Sequence, residues 1–178
     1  MAYTIVLDAG HGGFDLGASN MERAEKDDNL ALTLAVGDIL SRFEDINVIY
    51  TRNDDVYLSP SERTIKANDA QADLFLSIHR NSTPVPNSYS GVETLVYDRN
   101  GKAAELARNI DKQLEAVGFQ DLGITERKNL TVLKNTTMPA VLLEVGYINT
   151  DTDNNFLDAN FDSIARAIAD GILVTLGY

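Results

Sequence analysis

Only two histidines occur in the sequence, and each closes an apolar run against small or polar residues. His11 ends Thr4-Ile5-Val6-Leu7-Asp8-Ala9-Gly10-His11 and leads into Gly12-Gly13, while His79 ends Leu74-Phe75-Leu76-Ser77-Ile78-His79 ahead of Arg80-Asn81. A third run, Ala140-Val141-Leu142-Leu143-Glu144-Val145-Gly146, carries a glutamate in the corresponding place. Imidazole and carboxylate are good zinc ligands, and a catalytic zinc normally has three protein ligands and one position for water. Two histidines leave that set one short. The segment Glu22-Arg23-Ala24-Glu25-Lys26-Asp27 offers a third ligand at the start of a helical pattern. Glu25 lies nearer the helix start, but spacing alone chooses neither Glu22 nor Glu25.

Glu144 is informative because burying a carboxylate is costly unless it is paired, metal-bound or used in chemistry. These residue types point to a zinc hydrolase with a glutamate base. Asp8 fits an acceptor that orients His11 and equally a strand-end cap. Arg52 and Arg63 read most simply as structural ion-pair formers. Gly10, Gly12 and Gly13 permit tight turns and close backbone approach around His11. Their spacing is not the G-x-G-x-x-G of a dinucleotide site.

Short apolar runs alternate with helical patterns, which predicts an α/β fold: a mostly parallel, mixed and twisted sheet of about six strands in a three-layer α/β/α arrangement. Predicted strands cover 3–8, 46–51, 73–79, 91–97 and 140–145, with a weaker one at 130–134. Predicted helices cover about 27–43, 101–117 and 161–176, and another starts at Ser59-Pro60-Ser61-Glu62, a capping box with proline at the first helical position. The stretches 12–23, 81–90 and 121–129 read as irregular and able to line a cleft. Polar ends of buried parallel strands are where such sheets place their sites.

With 178 residues, 44% hydrophobic and 24% charged, a single domain over 1–178 without a separate wall-binding module is expected. The net charge of −12 argues against nucleic acid or anionic membranes as partners. The absence of cysteine excludes disulfides and thiolate ligands, so any transition metal rests on histidine and carboxylate. No stretch approaches the ~20 apolar residues of a membrane span. Strand-like sequence from Tyr3 leaves no visible leader, which suggests a mature, trimmed or leaderless form.

Four segments in order resemble the zinc-dependent N-acetylmuramoyl-L-alanine amidases, a group of bacterial cell-wall hydrolases, over nearly the whole chain. They are Val6-Leu7-Asp8-Ala9-Gly10-His11-Gly12-Gly13, Glu25-Lys26-Asp27-Asp28-Asn29-Leu30, Ser77-Ile78-His79-Arg80-Asn81 and Met138-Pro139-Ala140-Val141-Leu142-Leu143-Glu144-Val145-Gly146-Tyr147. The resemblance decides Glu25 over Glu22. It implies one Zn2+ per chain held by His11, Glu25 and His79, and Glu144 as the catalytic general base and acid. The implied reaction is hydrolysis of the amide between the lactyl group of N-acetylmuramic acid and L-alanine of the stem peptide. Peptidoglycan is then the partner, the cell wall the location, and a monomer the expected state.

Arg80, where the family usually has alanine, and Asn81 are expected to contact substrate at the cleft rim. The Gly146-Tyr147-Ile148-Asn149-Thr150 stretch also departs from the family pattern. Some members carry a helical insertion after the third-ligand strand that blocks the zinc. Here Arg80–Ser90, with prolines at 84 and 86, is too short and broken for one, so an open cleft active without a partner is expected. Another zinc amidohydrolase or peptidase, or a non-catalytic wall-binding module, would share some of these features. The joint presence of Asp-Ala-Gly-His and Glu-Val-Gly, and retention of the base, argue against both.

Overall fold

The computed structural model describes residues 2–178; Met1 lies outside them. A six-stranded sheet runs in the order β4 (Ile46–Tyr50), β1 (Tyr3–Ala9), β5 (Leu74–Asn81), β8 (Ala140–Tyr147), β6 (Val92–Val96), β7 (Asp121–Glu126). All neighbours are parallel except β6 and β8. This is the predicted mixed, mostly parallel sheet.

Alternation along each strand divides the core. On one face Ile5, Leu7, Leu76, Ile78, Val141 and Leu143 pack under α1 (Glu25–Leu40), α3 (Gly101–Val117) and α6 (Phe161–Leu176). On the other, Val6, Phe75, Leu95, Ala140 and Leu142 pack under α2 (Pro60–Asp69) and α4 (Thr131–Lys134). The second cover is shorter, and the carboxyl ends of β1, β5 and β8 extend past it into a cleft.

The capping box before α2 forms as predicted: the Ser59 N–H donates to Glu62 Oε2 at 2.8 Å and the Glu62 N–H to Ser59 Oγ at 3.3 Å. Other expectations fail for identifiable reasons. The run at 130–134 is not a strand but α4, because Val132 and Leu133 are buried against the sheet face and not paired in it. The stretch 121–129, predicted irregular, contains β7, an edge strand too exposed to show apolar alternation. Within 12–23, a two-strand ribbon pairs β2 (Ser19–Asn20) with β3 (Arg23–Ala24). Helix α5 (Asp151–Ala159) was not predicted, although Thr150 before Asp151 and Asp153 is a recognisable helix start. Residues 82–91 form a loop without a helix, as expected.

One buried carboxyl makes stability pH-dependent. Asp111 on α3 faces Thr94 on β6 and accepts its hydroxyl hydrogen bond. Burial pushes Asp111 up to about 7 against the Thr94 contact, with the Asp121 charge adding to the rise. The folded state then binds more protons than the unfolded chain between the ordinary carboxylate range, about 4, and 7. Its contribution is complete below that window and is lost as pH rises through it. Melting temperatures of Asp111→Asn and the parent should therefore diverge in favour of the variant from about pH 4 to 7 and run parallel above. A constant difference across that window would contradict this assignment.

Candidate metal centre

The carboxyl end of β1 is held by two arginines. Arg52 donates from Nε to Ala9 O at 2.9 Å and from Nη2 to Gly10 O at 3.0 Å. Arg63 donates from Nη1 to Ala9 O at 2.6 Å and from Nη2 to His11 O at 2.7 Å. This clamp holds His11 at φ 61°, a left-handed conformation rare for a non-glycine residue. Arg63 is an ion-pair former as expected, pairing with Asp8 at 2.8 Å, whereas Arg52 works through carbonyls. Asp8 is fully buried and its carboxylate takes hydrogen bonds from Thr51, Arg63 and Ser77. It does not orient the His11 ring, which corrects the first of its two expected roles. Its effect on His11 runs through Arg63 and the backbone.

The acceptor behind His11 is Asp15, at 2.9 Å from Nδ1. A carboxylate only accepts, so the Nδ1 proton is fixed and Nε2 faces inward, 3.2 Å from Glu25 Oε2. The other Glu25 oxygen lies 2.9 Å from His79 Nδ1. Glu25, the first residue of α1, is buried and also accepts from the Ala18 N–H at 2.8 Å, the Arg80 N–H at 3.1 Å and Asn29 Nδ2 at 3.3 Å. Asp15 and Asn29 are the parts sequence reasoning missed. The four-residue spacing Glu25–Asn29 on one helix face was the available signal for Asn29.

Close approach depends on glycine. A Cβ on Gly10 would lie 2.3 Å from the His79 ring, and one on Gly17 would lie 2.5 Å from Glu25 Oε2. One donor atom each from His11, Glu25 and His79 then fall within 4.8 Å of one another, and the two imidazoles meet edge-on at 5.0 Å. Burial works against the His11 cation, yet Glu25 and Asp15 outweigh it and push His11 up to about 9. Burial also works against the Glu25 anion, but hydrogen bonds from both imidazoles hold it well below the usual carboxylate range. Two nitrogens and a carboxylate oxygen converging in this way suit a divalent zinc-type cation.

Glu144 on β8 stands in register with His79 on β5, so both side chains project from the same sheet face. Its Oε2 is covered and has no hydrogen-bond partner among the described residues. Burial pushes Glu144 up to about 7; the His79 charge opposes the shift and the carboxylates of Glu25 and Glu93 add to it. A cavity of about 250 Å³ lies alongside, bordered by His11, His79, Asp15, Leu58, Arg63 and Leu142.

A family profile described as N-acetylmuramoyl-L-alanine amidase matches residues 5–174. The chain belongs to that amidase family. It is 36% identical over 178 residues to the endolysin of Bacillus phage SPP1, covering 97% of the chain and 65% of the endolysin. It is also 36% identical over 173 residues to the sporulation-specific N-acetylmuramoyl-L-alanine amidase of Bacillus subtilis, covering 94% of the chain and 66% of that protein. The chain thus spans just under two thirds of these two relatives. Among solved structures, the amidase of Clostridium difficile 630 superposes with a TM-score of 0.92 at 35% identity, covering 98% of this chain and 97% of that one. The catalytic domain of CwlV from Bacillus (Paenibacillus) polymyxa gives 0.90 at 37% identity, covering 98% of each chain.

Asn81 and Arg80 are the two residues expected to contact substrate. Asn81 Nδ2 donates to Glu93 Oε2 at 3.3 Å. The Arg80 side chain lies away from the metal cluster. Alternation places it opposite His79, fully buried, with Nη1 bonded to Asp28 of α1 and Nη2 donating to Asn154 of α5 at 2.7 Å. Arg80 ties two helices to β5 and has no access to substrate. Arg80→Ala should therefore destabilise this amidase-family fold by about 3 kcal/mol, the lower end for a broken buried pair, since Asp28 keeps Arg23 at 2.7 Å. KM should stay within about twofold of the parent. A raised KM with unchanged melting temperature would restore Arg80 to the cleft.

Proposed function

We propose that this chain hydrolyses the amide joining the lactyl group of N-acetylmuramic acid to L-alanine of the peptidoglycan stem peptide, at the bacterial cell wall. The carrying observation is the His11–Glu25–His79 cluster with Glu144 set in register beside it. His11 Nε2, a Glu25 oxygen and His79 Nδ1 would hold one zinc ion, which would supply Lewis acidity for water and the scissile carbonyl. When His11 gives up its Nε2 proton to the ion, Asp15 keeps the remaining proton on Nδ1. Glu144 takes a proton from the attacking water as the C–O bond forms, then passes it to the alanine nitrogen as the C–N bond breaks. Its pKa of about 7 suits both halves of that transfer.

Digestion of purified peptidoglycan should free L-alanine amino termini and leave glycan strands without new reducing ends. Amino-terminal labelling and a reducing-sugar assay measure the two products. New reducing ends without free alanine would identify a glycosidase. Amines released at another stem position would identify a peptidase.

A further inference from the structure

Glu93 is a carboxylate that neither the metal cluster nor the proton transfer uses. It lies on β6 directly opposite Glu144 on the antiparallel strand β8, so His79, Glu144 and Glu93 form a row across three neighbouring strands. Directly opposed residues have Cβ atoms about 4.5–5.5 Å apart, and like charges in that position destabilise a sheet. Glu93 is nevertheless held in place, with Oε1 accepting from Thr125 at 2.7 Å and Oε2 from Asn81 at 3.3 Å. An ionised carboxylate offers about four acceptor sites, so two bonds leave Glu93 with spare capacity. Beside it, Glu144 Oε2 is covered and has no donor among the described residues. The fold thus maintains two opposed carboxylates with unfilled acceptor capacity, and a cationic hydrogen-bond donor is the chemistry that satisfies them.

We propose that Glu93 binds the α-ammonium group of the L-alanine end released by cleavage, and so reads the leaving side of the substrate. This rests on the hydrolysis proposed above. To take a proton from Glu144, the departing nitrogen must come within about 3 Å of it, which brings the same nitrogen within reach of the carboxylate on the adjacent strand. The balance is complete: amide and water give a lactyl carboxylate and an amine, and the proton of the lactyl acid converts the amine to ammonium. That ammonium has three N–H donors, and Glu93 receives one of them.

The test is direct binding of L-alanyl-γ-D-glutamyl-L-lysine to the zinc-loaded full chain by calorimetry, beside its Nα-acetyl and Nε-acetyl derivatives. Nα-acetylation should weaken binding to the parent roughly tenfold or more, the effect of one charge-assisted hydrogen bond. In Glu93→Gln the same modification should change affinity by about twofold or less, with zinc content and melting temperature retained. Glu93→Asp, which keeps the charge on a shorter arm, should fall between. An equal Nα-acetyl penalty in parent and Glu93→Gln overturns the assignment. So does a penalty in which only Nε-acetylation distinguishes the two, since Glu93 would then read the third stem residue. A parent that discriminates the α-ammonium through Glu93 yet frees no alanine from walls supports this site and overturns the proposed hydrolysis.

Discussion

Glu25→Ala is expected to lose nearly all bound zinc and, with it, turnover. Glu25 pairs through its carboxylate with both other ligand candidates, with one oxygen 3.2 Å from His11 Nε2 and the other 2.9 Å from His79 Nδ1. Removing it takes away a donor atom, the negative charge that balances a dication, and the acceptor for the Ala18 and Arg80 N–H groups. Each orphaned N–H costs about 1–3 kcal/mol if it stays buried, so Glu25→Gln is the companion that keeps the shape and removes the charge. Metal content after dialysis and the rise in melting temperature on zinc addition are the readouts, since a ligand that binds only the folded state stabilises it. Asp15→Asn, which disturbs only the acceptor behind His11, should weaken zinc binding by about 10–100-fold without abolishing it. Stoichiometric zinc in Glu25→Ala would remove the cluster as the metal site.

Glu144→Gln is expected to keep zinc and fold while kcat falls by about 10²–10⁴-fold, the usual contribution of a general acid–base group. Glutamine matches the glutamate side chain in size but cannot accept and return a proton. Because burial already opposes ionisation of Glu144, removing the carboxylate should leave the melting temperature unchanged or raised. Single-turnover kinetics on a soluble muropeptide, with metal analysis of the same sample, separates the possibilities. Loss of zinc from Glu144→Gln with retention in Glu25→Ala would exchange the two assignments.

Much of the centre is visible in the chain before folding is considered. His11, His79 and Glu144 stand out because each lies near the end of a run apolar enough to be a buried strand, and such ends must project polar groups somewhere. Glu25 is less legible. Nothing in the spacing of Glu22 and Glu25 separates them; resemblance selects Glu25, and the structure accounts for it by starting α1 at that residue, two positions earlier than the helical pattern suggested. Arg80 shows the opposite case. Period-two alternation from His79 already places it on the other sheet face, and proximity along the chain was the wrong guide.

Local sequence determined the α/β class, four of the main helices and five of the six sheet strands, because apolar periodicity and helix starts act over a few residues. It also singled out the two histidines and the buried glutamate. Tertiary structure decided which groups stand behind them: Asp15 on His11, Asn29 on Glu25, and Glu93 opposite Glu144. Glu93 is 51 positions before Glu144 in the sequence, and only the antiparallel pairing of β6 with β8 makes them neighbours. Edge strand β7 and helix α4 were likewise settled by what they pack against. Strand register and sheet order depend on contacts between distant segments, and those contacts leave no periodic trace in either segment alone.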